Sequence, residues 1–132
     1  MSINKPSSLQ QLNTGLDPTL WPIFENLQVG PESTRLVFTV NHQLGYFKGH
    51  FPEQAVLPGV VQVHWTGELA RRLFNSSGFT GLRKVKFKQP ILPGTRVTLS
   101  LDFESGSGTL NFRFHHAEKV FSSGVMMFGA GQ

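Results

Sequence analysis

With 132 residues, 39% of them hydrophobic and 15% charged, and with no Cys, the chain is sized for one domain that buries its own core, since single domains run to about 100–200 residues. This composition excludes a disordered or fibrous chain, and the missing thiols exclude cysteine nucleophiles, iron–sulfur clusters and thiolate zinc sites. Twelve Lys and Arg against eight Asp and Glu leave a formal charge of +4, which favours an acidic partner wherever the cations cluster.

Residues 1–16 are polar and read as a mobile tail. Asp17-Pro18 supplies a cap and a first-turn proline for a short helix ending at Phe24, so residues 1–27 are expected as a polar tail with one short helix, and residues 28–130 as the folded domain. No apolar segment follows Lys5, and no apolar run nears the ~18 residues of a membrane span, so neither a secretory signal nor a membrane partner is expected and the cytoplasm is the default. From Thr34 to Val40, Leu36, Phe38 and Val40 alternate with Arg35, Val37 and Thr39, the period of a half-buried strand. Gly45–Gly59 is dense in Gly and Pro and reads as a connection. Val60–Phe74 reads as a helix with apolar residues around most of its circumference, which predicts that something wraps it. Leu82–Lys88, Thr95–Phe103, Thr109–His115 and Lys119–Phe128 follow as strands of an antiparallel meander, with Pro93-Gly94 and Gly106-Ser107-Gly108 as turn chemistry. One helix on one face of an antiparallel sheet is an α+β arrangement, and its layout resembles a hot-dog fold.

The chemistry concentrates between Tyr46 and Glu68. His50 stands between Gly49, free to take positive φ, and Phe51, which Pro52 holds extended, so its imidazole is constrained from both sides. Pro58-Gly59 opens the helix, where unpaired amides and the positive end of the helix dipole await an oxygen ligand. A base beside such an oxyanion site is what removal of a proton next to a thioester carbonyl requires.

Gly49-His50-Phe51-Pro52 and Pro58-Gly59-Val60 resemble the signature of the β-hydroxyacyl thioester dehydratases of fatty-acid synthesis. Val56 to Trp65 is similar to the short dehydratases of aryl-polyene and related pathways. Lys86 to Gly94 is a second anchor, and the resemblance spans about residues 30–128. It implies a hot-dog homodimer with active sites at the interface, acting without a cofactor on acyl groups held by acyl carrier protein. It also implies that His50 is the base, that the Gly59 amide binds the thioester oxygen, and that Phe51 and Val60 join Gly59 in substrate binding.

The family carries Glu or Asp six residues after the Pro of Pro-Gly, where this chain has His64. One turn on stands Glu68, and helical spacing sets His64, Glu68 and Arg71 along one stripe. Glu68 is a candidate for the acid displaced by one turn, and two further readings follow. In one, His64, oriented by Glu68, protonates the β-hydroxyl while His50 takes the α-proton. In the other, His64 is a satisfied core residue, Glu68 pairs with Arg71 or Arg72, and the protein is a non-catalytic subunit that binds a carrier or a partner dehydratase. A hot-dog thioesterase is the third function to separate from these.

Lys84, Lys86 and Lys88 alternate with Val85 and Phe87, which sends the three Lys to one exposed face. With Arg71 and Arg72 they form a candidate docking patch for the acidic carrier, and equally a solvated strand face. Phe87 faces away from the Lys stripe, which argues against nucleic acid. His42 stands alone and the adjacent His115 and His116 point to opposite faces, so no metal site is expected.

Overall fold

In the computed structural model, which describes residues 8–47 and 55–129, the chain runs α1 (Leu9–Asn13), β1 (Phe24–Val29), β2 (Ser33–Thr39), a single 3-10 turn (Gly45–Phe47), α2 (Gly59–Phe74), β3 (Phe79–Phe87), β4 (Arg96–Glu104), β5 (Thr109–His116) and β6 (Lys119–Phe128). The strands make one six-stranded antiparallel sheet in the order β1-β2-β4-β5-β6-β3. Alternation puts Leu36, Phe38, Val97, Leu99, Leu101, Leu110, Phe112 and Phe114 in the core, where Val61, Trp65, Leu69 and Leu73 of α2 meet them at helical spacing. The helix stops at Asn75, whose left-handed φ of 57° returns its N–H to the Arg71 carbonyl. One long helix on an antiparallel sheet is the hot-dog arrangement. Among the described residues no helix is long and apolar enough to cross a membrane.

The strands from Leu82 onward are not one meander. Only β4, β5 and β6 pair consecutively, while β3 lies at the far edge against β6. The connection between β3 and β4 holds Pro90 and Pro93, buries Ile91 completely and gives the Ile91 carbonyl to Leu57 N–H at 2.8 Å. A segment pinned across the core in this way cannot close a hairpin. The sheet covers one side of the helix, as expected, and Val60 at its start stays 75% exposed.

The N-terminal expectation needs correction too. Residues 9–13 are helical, with Leu12 fully buried in the main core, and the Arg72 guanidinium donates to the Leu12 carbonyl at 3.2 Å. Asn13 exchanges two side-chain hydrogen bonds with the backbone of Phe24, so the domain reaches back to α1 and the boundary at residue 28 falls inside β1. No helix runs from Asp17 to Phe24. The Asp17 carboxylate instead accepts from both the N–H and the hydroxyl of Thr19, closing a turn and holding its pKa down. β1 went unpredicted because only Phe24 of its six residues is buried, leaving no alternation to read.

Leu12→Ala is expected to cost about 2–5 kcal/mol, as for other fully buried leucines, and to lower the midpoint of urea unfolding. An unchanged midpoint would return this segment to the status of a tail.

Candidate active site

α2 has one face committed to the sheet, so its remaining stripe stands free. Val63, His64, Gly67, Glu68 and Arg71 line one wall of a cavity of about 340 Å³, and Phe79, Met126 and Phe128 line it from β3 and β6. A charged wall thus faces an apolar one, in a groove large enough for an acyl chain.

Within the groove the Arg71 guanidinium contacts the Glu68 carboxylate at 2.9 Å. That hydrogen bond holds Glu68 below the usual carboxylate range. Partial burial opposes it, and the charges of Arg71, His64 and Arg72 add to the lowering. The Arg71 contact therefore favours Glu68 as a carboxylate, suited to orient a cationic neighbour. His64 lies beside Trp21, ring centroids 6.0 Å apart, and Trp21 stacks on Trp65 at 5.8 Å. The Leu20 carbonyl accepts from Trp65 Nε1–H at 3.0 Å and from the Tyr46 hydroxyl at 3.1 Å, anchoring the segment that carries Trp21. Trp21 was missed in the sequence because nothing in its irregular segment marks it as a neighbour of a helix far along the chain.

The start of α2 is held as firmly. Gln62, only 3% exposed, donates from Nε2 to the Leu57 carbonyl at 3.2 Å and accepts the Ser122 hydroxyl at 2.6 Å, while its own carbonyl accepts the Thr66 hydroxyl. This clamp fixes the Leu57-Pro58-Gly59 turn to both helix and sheet. Pro58 makes no side-chain cap, and the amides of Gly59 and Val60 find no acceptor among the described residues, which leaves them available to an oxygen ligand. Access is narrower than expected. The Phe87 ring lies against Gly59 so closely that a Cβ there would stand 2.7 Å from its Cζ. Gln62 was legible only as a polar residue on the apolar side of the helix.

His50 and Phe51 lie outside the described residues. Arg71 lies on the groove, whereas Arg72 is spent on Leu12. Lys84, Lys86 and Lys88 line a different cavity on the sheet face turned away from α2, so the structure does not gather these cations into one patch. Among the described residues no cluster of His, Asp and Glu is arranged to hold a metal.

A family model described as ApeI-like dehydratase matches residues 26–125. The 3-hydroxyacyl-(acyl-carrier-protein) dehydratase FabZ of Streptococcus pneumoniae is 28% identical over 116 residues, covering 80% of this chain and 83% of its own length. A chain of the dehydratase heterocomplex ApeI:P from Xenorhabdus doucetiae superposes with a TM-score of 0.74 at 28% identity, covering 81% of this chain and 96% of that one. Thioesterase superfamily member 2 from Mus musculus shares the fold, with a TM-score of 0.61 at 11% identity over 76% of this chain and 77% of that one.

Two outcomes follow from the geometry. Gln62→Leu should leave the Ser122 hydroxyl and the Leu57 carbonyl unpaired and cost about 1–3 kcal/mol, measurable by chemical denaturation. Arg71→Gln should raise the Glu68 pKa towards its ordinary value, so that the carboxylate is lost at higher pH as acid is added. Carbon NMR titration of the Glu68 carboxyl reads this directly, and an unmoved midpoint would show that Arg71 is not what holds it ionised.

Proposed function

This chain belongs to the ApeI-like dehydratase family, and on that premise we propose that it removes water from a 3-hydroxyacyl thioester carried on acyl carrier protein, giving the trans-2-enoyl thioester. The observation that carries this reading is the groove on which His64, Glu68 and an apolar wall meet. In the reaction a base takes the α-proton, the electron pair forms the α–β double bond, and the β-hydroxyl leaves as water once protonated. His50 is assigned the first task from the Gly49-His50-Phe51-Pro52 motif. His64 is assigned the second, because it lies on the groove while the Glu68 carboxylate is engaged by Arg71 at 2.9 Å. The Gly59 amide is assigned to the thioester oxygen, where developing charge meets the helix N-terminus.

A homodimer fits the same reading. β3 is an edge strand, and Phe79, Leu82 and Phe87 on it, with Val60 on α2, are exposed apolar residues that a second copy would cover. Arg71, on the groove itself, is the cation best placed to meet an acidic carrier. The non-catalytic alternative draws on one observation, that Glu68 is already satisfied by Arg71 without a substrate.

With a carrier-bound 3-hydroxyacyl thioester and mass-spectrometric detection of water loss, His50→Ala and His64→Ala should each lower turnover by about 100- to 10,000-fold, the range of general acid–base groups. Glu68→Gln should cost less. Dimers mixed from the two inactive His variants should regain one intact site if the groove is completed across subunits. A wild-type protein that turns over nothing, and gains activity with His64→Glu, would make the chain a non-catalytic subunit, and release of free acid would make it a thioesterase.

A further inference from the structure

The sheet face turned away from α2 carries a pattern that dehydration does not use. In register across neighbouring strands, Arg35 of β2 stands opposite Ser100 of β4, Ser100 opposite Arg113 of β5, Arg113 opposite Ser123 of β6, and Ser123 opposite Lys86 of β3. Cation and hydroxyl therefore alternate in one row across the sheet. Strands lie about 4.8 Å apart, so Ser100 and Ser123 are about 10 Å from each other, each with a cation on both sides.

Lys84 and Lys88 line the same cavity of about 430 Å³ as this row. The register of β3 against β6 slips between Arg83 and Lys86, and Lys84 sits in this bulge at a φ of 54°. A left-handed φ at a non-glycine residue is unfavourable, and bulges re-aim side chains. Arg71, Arg72 and Arg96 all have partners, but the side chains of Arg35, Arg113, Lys84, Lys86 and Lys88 have no ion pair or hydrogen bond among the described residues. Asp102, which accepts from the Ser33 hydroxyl, is the carboxylate that lines the cavity with them. Ser100 Oγ lies 2.7 Å from His115 Nε2. Burial, followed by the charges of Arg113 and Arg35, lowers the His115 pKa, which accords with a positive field on this face.

We propose that this row binds a small ligand carrying two phosphate groups about 10 Å apart, one over Ser100 between Arg35 and Arg113 and one over Ser123 between Arg113 and Lys86. The charge decides for phosphate. Five cations against one carboxylate match two phosphates of about −1.5 to −2 each, whereas two carboxylates would leave about half of that excess unanswered. Arginine forks supply paired donors to tetrahedral oxyanions. The site goes beyond the dehydratase reading and stands whether or not that reading holds.

Isothermal titration calorimetry on the full chain tests it, with pentane-1,5-diyl bisphosphate, long enough to span both seats, set against inorganic phosphate. The bisphosphate should bind about ten-fold or more tighter than phosphate, because the second contact is intramolecular, and rising salt should weaken it. Arg113→Gln, which removes the cation shared by both seats, should weaken the bisphosphate about ten-fold or more, and Arg35→Gln should bring it close to the level of phosphate. Thermal melts verify that both variants fold, and Lys119→Gln, outside the row, should change nothing. Equal binding of the two probes, or an Arg113→Gln variant that binds as wild type does, overturns the site. So does capture of an acidic carrier protein, lost with Arg113→Gln, by a chain that holds neither phosphate probe.

Discussion

The packing of α2 against a single sheet face is the constraint on which the rest of the molecule depends. Val61, Trp65, Leu69 and Leu73 take one side of the helix into the core, and 3.6-residue periodicity then leaves His64, Glu68 and Arg71 together on a stripe outside it. The same packing decides where the groove lies, since its apolar wall is made of Met126 and Phe128 from the strand beneath. A helix covered on every side would have no room for substrate along this stripe.

Buried polar contacts then set the helix start to a defined height. Gln62 is the hinge of that arrangement, because one buried amide ties Leu57, Ser122 and the first turn of α2 into a single unit. In a low-dielectric interior such contacts are costly when left unsatisfied, so the amides of Gly59 and Val60, which find no acceptor among the described residues, are presented by a rigid support. On the opposite face the sheet is a different surface altogether. There the strands order hydroxyls and cations without partners among the described residues by register, and the core side chains beneath keep the two faces chemically separate.

Much of this was legible in the amino-acid order. The extents of α2, β4, β5 and β6 lie within a residue or two of those expected from periodicity, because each buries one regular face. His64 and Glu68 also share a groove as their helical spacing predicts. What escaped notice had no period to show. β1 is exposed on nearly every side chain, α1 contributes one buried leucine, and Trp21 reaches His64 from an irregular segment.

Local order and chemistry were thus determined by the sequence, since hydrophobic alternation, helix boundaries and the Gly-His-Phe-Pro and Pro-Gly-Val motifs are properties of neighbours in the chain. Pairing was decided only in three dimensions. β3 joins β6 rather than β4 because burial of Ile91 carries the intervening segment across the core. The same non-local choice of partners separates Lys86 from Arg71 and lines it up with Arg113 and Arg35 instead. No stretch of sequence contains that row, because it runs perpendicular to the chain.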